Sequence, residues 1–372
     1  MSHEPNCLEI DLSAITHNLR QIKNMAGNHS KIMGIIKSDA YGHGLLPGAQ
    51  ALVKNNVDCL GVAYLHEALE LRKDGIGLPI IILCGILTRD EAAETVEKDL
   101  TPVVFDITIA EILDQESAKR GKKTHIHMNV DTGMGRLGIP YDETGPFIRK
   151  IAVLKNLDLD ALTSHLSAAD EISPDFTELQ IKRFKEAIQT GRSMGVALPF
   201  NNLANSAGIM AHKNAIFEMV RPGIMLYGGL PSPGFVSPVS LKPAMQFKGR
   251  IIQIRDLPAQ TPVSYGRTYL TKGPCQMAVL SAGYGNGLPR NLSNRGNVLI
   301  KGKKFPLVGR VCMNLCICDI TGLNQVTTGE DAVFIGSQGN KTIRGDDLAR
   351  WADTISYEVF CSIGQRNKRK YL

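Results

Sequence analysis

The sequence predicts an α/β chain in two parts: an N-terminal (β/α)8, TIM-like barrel and a C-terminal, mostly β domain. Three observations carry this. Eight short apolar runs, at 32–37, 59–64, 79–85, 101–105, 124–130, 158–165, 199–204 and 217–221, are mostly separated by stretches of helical periodicity, the pattern of parallel strands with helical crossovers. No G-x-G-x-x-G follows the first run, which counts against an open doubly wound sheet. After Gly228-Gly229, the turn-rich link Pro231-Ser232-Pro233-Gly234-Phe235 leads into short β-type runs punctuated by Gly, Pro and Asn. At 372 residues the chain is long for a single core. The expected division is 8–240 for the barrel and 241–372 for the β domain, with residues 1–11 available to pack on the latter through the strand-like run 7–11.

The elements follow in order. The first barrel run, Ile32-Met33-Gly34-Ile35-Ile36, is short and buried in character, and Lys37-Ser38-Asp39-Ala40-Tyr41-Gly42-His43-Gly44 follows it. Lysine is almost never fully buried without a partner. At the C-terminal end of a barrel strand it is either a surface residue or a catalytic one, because such ends collect catalytic groups. Helical patterns stand at 66–72, 109–119 and 176–192. The fifth run ends in Asp131-Thr132-Gly133-Met134-Gly135-Arg136-Leu137-Gly138. Three glycines around one Arg suggest a loop that offers a guanidinium to a carboxylate, or a plain surface turn. The sixth ends in Ser164-His165-Leu166, where a lone His is more often structural. The loops after the seventh and eighth runs carry Asn205-Ser206-Ala207-Gly208 and Arg221-Pro222-Gly223-Ile224. Barrels often bind phosphate there, and a hydroxyl with glycine N–H groups suits an anion. Together with Lys37 they outline a phosphorylated cofactor across the barrel mouth. In the β domain, runs are expected at 245–255, 276–282, 297–300, 307–320 and 331–335, with a short helix near 344–352. Tyr265 falls among them and, by position alone, is a packing residue.

Composition excludes several classes. The net charge of +6 is scattered, so no nucleic-acid footprint is expected. The one basic cluster, 366–370, reads as a solvated C-terminus. Met1-Ser2-His3-Glu4-Pro5-Asn6-Cys7 lacks the regions of a signal peptide. The longest apolar run, 75–87, contains Pro79 and is too short to span a bilayer. A cytoplasmic protein without membrane association is therefore expected, with its eight cysteines as free thiols. Cys312, Cys316 and Cys318 form no C-x-x-C pair, and alternation puts Cys316 and Cys318 on one face of a strand. His125-Ile126-His127 suits a metal only if further ligands complete it; none is evident, and the expectation is an alternating strand with no metal.

Several motifs then converge. Lys37 to Gly44, Val130-Asp131-Thr132-Gly133-Met134-Gly135-Arg136-Leu137-Gly138, Ser164-His165-Leu166-Ser167, Asn205-Ser206, Val220-Arg221-Pro222-Gly223-Ile224, Val263-Ser264-Tyr265-Gly266-Arg267, Gly283-Tyr284-Gly285, Arg310-Val311-Cys312-Met313 and Tyr357-Glu358-Val359 occur in this order. In that order and spacing the chain resembles alanine racemase over about residues 8–371, a family that carries pyridoxal 5'-phosphate. The resemblance implies that Lys37 bonds the cofactor and serves as one base, with Tyr265 of the partner subunit as the base on the opposite face. It implies Arg221 on the pyridine nitrogen, His165 supporting Arg221 and Tyr265, and Tyr41, Ser206, Gly223, Ile224 and Tyr357 around the phosphate, with Asn205 in the same cofactor loop. Arg136 and the backbone of Met313 from the partner would hold the substrate carboxylate. The active unit would be a homodimer acting on a small amino acid, to supply D-alanine for peptidoglycan. Free tyrosine has a pKa near ~10, so Tyr265 would need nearby positive charge to act as a base.

Some positions depart from the family pattern. Asn129 stands where many members carry a carbamylated lysine, and an anion such as chloride would fill the space beside Arg136. Asn314 follows Met313 in place of Asp, Asn286 and Leu288 alter the entrance run, and the tail reads Arg366-Asn367-Lys368-Arg369. These changes bear on substrate breadth and leave a broad-specificity racemase as an alternative. A related decarboxylase would carry glutamate in the Arg221-Pro222-Gly223 region and a triple glycine. A non-catalytic cofactor carrier would lack the second domain. A metal-dependent barrel hydrolase would rest on His125 and His127.

Overall fold

The computed structural model describes residues 5–372; the leader reading of residues 1–4 lies outside them. Seven parallel strands, Lys31–Ile35, Cys59–Val62, Ile80–Ile82, Thr101–Val104, Thr124–Asp131, Leu157–Thr163 and Met219–Val220, form the barrel wall. The last pairs with the first, Lys31 opposite Met219, and closes it. The expected strand at 199–204 is reduced to Asn202, which bridges Thr163 on one side and Met219 on the other. The side chain of Asn201 takes over part of the ladder, and that of Asn202 ties to a neighbouring hydroxyl. Asn201 Oδ1 accepts the Leu162 N–H at 3.0 Å, and Asn202 Oδ1 accepts the Thr163 hydroxyl at 2.6 Å.

The crossover helices follow their sequence signals. Helix Arg89–Glu97 opens on Thr88 and Glu91, a reciprocal cap, and Ile107–Lys119 on the Asp106 carboxylate. Leu65–Lys73 and Asp175–Ser193 cover the other two helical patterns. The segment after the first barrel strand is unusual. Ser38, Asp39, Ala40 and Tyr41 all have left-handed backbones, φ 52–58°. L-residues visit that region singly, at a cost of roughly 1–2 kcal/mol each, so four in succession require strong outside support.

The β domain is organised by the 13-residue strand Met245–Leu257. Its first half lies between Cys7–Ile10 and Asp331–Gln338, and beyond a bulge at 251/253 its second half pairs with Cys275–Leu280. Cys316–Asp319 adds to that edge, with Cys316 and Cys318 buried on one face as alternation required. Two expectations are corrected. The run 307–320 is not one strand: Leu307 bridges Cys318, but residues 308–315 form a loop, because Gly309 adopts φ 71° and the chain reverses through a Cys312 N–H to Leu315 carbonyl bond of 2.8 Å. Helix Ser356–Arg366 follows the expected short helix, observed at Gly345–Ala352. The basic tail is not a solvated end, because Arg369–Tyr371 pairs in parallel with Leu8–Ile10. Leu8–Ile10 is thereby paired on both sides within one sheet.

Candidate active site

Ten of the twelve residues singled out from sequence line one cavity of about 340 Å³ at the barrel mouth: Lys37, Tyr41, Arg136, His165, Asn205, Ser206, Arg221, Gly223, Ile224 and Tyr357. They come from the ends of several barrel strands and from helix Ser356–Arg366, the C-terminal-face arrangement that barrels use for ligand sites. Ile35, Ser38, Leu83 and Cys361 complete the wall; no local signal marked Leu83 or Cys361.

Arg221 is the electrostatic centre of the floor. It follows the two-residue strand Met219–Val220. One Nη donates to the Ser164 carbonyl, to the Leu203 carbonyl at 3.2 Å and toward His165 Nδ1 at 3.3 Å. Loss of solvent, then the Arg221 charge, hold the His165 imidazole well below its usual pKa. It is therefore a neutral acceptor at Nδ1 rather than a competing cation. Burial brings the Arg221 guanidinium down to about 10, still protonated at neutral pH. Its Nε is buried and has no hydrogen-bond partner among the described residues. A buried N–H of that kind is costly unless a ligand supplies an acceptor.

At the other end, the Ser206 hydroxyl accepts the Gly223 N–H at 3.0 Å and lies 3.4 Å from the Met225 N–H. Asn205 Oδ1 caps the short helix Ser206–Ala211 at the Gly208 N–H, 2.9 Å. Gly223 is required by space: a Cβ there would stand 2.5 Å from the Tyr41 hydroxyl. Burial raises the pKa of both Tyr41 and Tyr357, and their rings lie 5.7 Å apart. Both are neutral phenols, able to donate to an anion.

Lys37 begins the left-handed turn, half-buried. Desolvation chiefly, and the Arg136 and Arg221 charges, lower its pKa, which favours the neutral, nucleophilic amine. Glu67, beyond the notice of any sequence motif, holds the turn by accepting the Ser38 N–H at 2.6 Å and the Ala63 N–H at 2.7 Å. The Arg136 loop is built on Asp131, whose carboxylate accepts the N–H groups of Gly133, Met134 and Gly135 at 2.8–2.9 Å.

Tyr265 and Met313 do not join this cavity. Tyr265 is 71% and Met313 59% exposed, on loops of the β domain. The two loops are tied together: the Ser264 hydroxyl donates to the Arg310 carbonyl at 2.7 Å, and Tyr284 and Gly285 N–H groups bond the Cys312 and Met313 carbonyls. Tyr265, Tyr284, Met313 and Leu315 are large apolar side chains left exposed on these linked loops. Of the departures, Leu288 is 1% exposed in the core and is not among the residues that line the cavity. Asn286 Oδ1 accepts the Gly283 N–H at 3.2 Å and closes the turn 284–286. Asn129 is half-buried beside Thr163. His125 pairs with Asp160 at 2.9 Å, and no cluster of three or more His, Cys, Asp or Glu is placed for a metal among the described residues.

Comparison with known proteins agrees with this architecture. Residues 10–231 match the family "Alanine racemase, N-terminal domain" and residues 244–371 "Alanine racemase, C-terminal domain". Alanine racemase 2 of Caldanaerobacter subterraneus subsp. tengcongensis is 42% identical over 369 residues, 99% of this chain and 95% of that one. The crystal structure of alanine racemase from a D-cycloserine-producing Streptomyces lavendulae superposes with a TM-score of 0.93 at 31% identity, covering 100% of this chain and 98% of that one. That of Bartonella henselae alanine racemase with covalently bound pyridoxal phosphate gives 0.88 at 28% identity, covering 99% and 100%.

Proposed function

This chain belongs to the alanine racemase family, and on that premise we propose that it interconverts L- and D-alanine through two bases, Lys37 and Tyr265 of the partner subunit. The observation that carries the reading is the convergence of ten motif residues from distant segments on one cavity. The cofactor of the family is pyridoxal 5'-phosphate, and the residues present fit it. The unpartnered Arg221 Nε–H calls for an acceptor such as a ring nitrogen. Gly223 leaves open the space beside the Tyr41 hydroxyl. Ser206, Tyr41, Tyr357 and the backbone at Gly223 and Ile224, in the loop that Asn205 caps, would hold the phosphate, and Lys37 would carry the carbonyl. When bound, the cofactor supplies an electron sink that acidifies the substrate Cα–H.

The chain's own groups do the rest. The Lys37 amine, whose pKa burial lowers, is the base for one face of Cα. Tyr265 is the base for the other, so a proton removed on one side is returned on the opposite side and the configuration inverts. Arg221 stays protonated and donates without surrendering its proton, so less charge is drawn from Cα than a carboxylic acid partner would allow; this restrains side reactions. His165 fixes the guanidinium from below. Arg136 provides a fork for the substrate carboxylate, with the Met313 backbone of the partner subunit beside it. In the family this chemistry supplies D-alanine for peptidoglycan, and we assign that role here.

The homodimer is part of the same proposal. Tyr265 and Met313 are exposed away from their own cavity, so the site is complete only if another copy presents them. We place the domain division at 240/241. The test is incubation of the cofactor-loaded protein in D₂O with L-alanine and a panel of other L-amino acids, followed by chiral chromatography and mass. Fast D-alanine formation with α-deuteration, and little with the others, is expected. No exchange despite bound cofactor would favour a carrier and reject the enzyme reading.

A further inference from the structure

We propose that Arg369, three residues from the end of the sequence, is a positioning residue for Lys37: it locks the left-handed turn that carries the lysine, so the C-terminal tail sets the geometry of the barrel site. This rests on the reading of Lys37 as the cofactor-bearing base.

The turn Ser38–Tyr41 is expensive, with four non-glycine residues in a region that disfavours side chains. Its internal bonds, among them Gly42 N–H to Ser38 carbonyl at 3.1 Å and Gly44 N–H to Asp39 carbonyl at 2.9 Å, are too few to offset that. Glu67 secures the start. The His43 Nδ1 meets the Ala40 and Tyr41 carbonyls at 3.1 and 3.0 Å, and Arg369 secures Asp39 and Gly42. Its guanidinium pairs with Asp39 Oδ2, donates through Nε to the Gly42 carbonyl at 2.9 Å, and reaches the Gly364 carbonyl at 2.8 Å. The Asp39 carboxylate is thereby oriented to accept the Leu45 N–H at 2.7 Å with its other oxygen. One side chain thus ties the beginning of the turn, its end and helix Ser356–Arg366, which supplies Tyr357 to the cavity. The Arg369 side chain is only 17% exposed. It is delivered by the parallel pairing of Arg369 with Leu8. On the same strand, the Tyr371 hydroxyl packs so closely on Gly44 that any side chain there would overlap it.

The planar fork of arginine matches three acceptors in different directions; a lysine ammonium is a point donor that would keep the charge and lose the geometry. Misplacing a reacting group by a fraction of an ångström to an ångström costs up to about a hundred-fold in rate. Arg369 acts through Lys37, and its loss would move the turnover number more than substrate binding.

The experiment compares R369A, R369K and D39N with wild type and with K370A, all as cofactor-loaded protein. Lys370 lies on the same strand and approaches Glu9 at 3.7 Å, away from the turn. The readouts are kcat and KM for alanine, circular dichroism in the cofactor's visible band per bound cofactor, cofactor affinity and thermal midpoint. R369A, R369K and D39N are expected to lose about ten-fold or more in kcat, with KM little changed and the visible dichroism diminished, whereas K370A behaves as wild type. If R369A fails to fold, R369K and the isosteric D39N give the same test. A lowered midpoint with wild-type kcat and dichroism in these variants would show a merely structural tail and overturn the proposal. Borohydride trapping separates the two levels. Cofactor fixed to a lysine other than Lys37 would sink the underlying reading and the proposal with it; cofactor on Lys37 with unaltered variants would sink the proposal alone.

Discussion

At the residue scale, the candidate site works through groups whose protonation the fold dictates. Tyr265→Phe removes one phenolic base and nothing from the cavity wall, so it should abolish racemisation while leaving cofactor absorbance and affinity at wild-type values. Normal turnover by that variant would reject the two-base scheme. A second prediction concerns His127. Burial chiefly, then the Arg221 charge, bring its pKa down from 6.5 to about 3, and its Nδ1 has no partner among the described residues. The unfolded chain therefore binds a proton that the folded chain refuses throughout that interval. The stability tied to neutral His127 is complete above 6.5 and is lost as the pH falls toward 3. His127→Leu should melt near wild type at neutral pH and fall less steeply in acid. Parallel melting curves across that range would refute the assignment. His43, brought down to about 4 chiefly by burial, adds the same slope in both proteins.

At the element scale, the tight seam lies between the left-handed turn and helix Ser356–Arg366. Gly364 sits inside that helix, where Ala is intrinsically better by about 1 kcal/mol. Yet a Cβ on Gly364 would overlap the Gly42 carbonyl, and overpacking of this kind costs typically about 1–3 kcal/mol. Gly364→Ala should therefore destabilise, against its helix propensity, and weaken cofactor binding, as chemical denaturation and a cofactor titration would reveal. A stabilised variant would mean that the seam yields. Much at this scale was legible. Lys37, Arg136, His165 and Arg221 stand at strand ends or in the loops just beyond them, and apolar runs locate strand ends. The turn itself was not, because Ser38, Ala40 and Tyr41 have no preference for positive φ; outside contacts impose it. The strand at 199–204 shrank for a similar reason: the Asn201 side chain took the place of a ladder bond to Leu162, which no apolar pattern records.

At the scale of the whole molecule, the site proposed here is divided between subunits. Mixing Lys37→Ala with Tyr265→Phe under conditions of subunit exchange should restore activity to about a quarter of wild type, because random pairing makes half the dimers mixed and each has one intact site. Two inactive proteins that remain inactive after proven exchange would place both bases in one chain. The exposed side chains of Tyr265, Tyr284, Met313 and Leu315 would lie at the proposed interface, and mutation of Tyr284 to a charged residue should weaken the proposed dimer in sedimentation measurements.

The sequence by itself determined the two-part architecture and the order of the barrel strands, because periodicity is a property of neighbouring residues, and its resemblance to a family named the ten residues that line the cavity. Only the tertiary structure decided how those residues are held. Glu67 reaches Ser38 across 29 positions and Arg369 reaches Asp39 across 330. The basic tail that reads as solvent-exposed is folded into a sheet beside the N-terminal strand. Contacts so remote in sequence leave no periodic trace in it. They come into being when the barrel closes and the β domain docks, and the unfavourable turn that carries Lys37 persists on their strength.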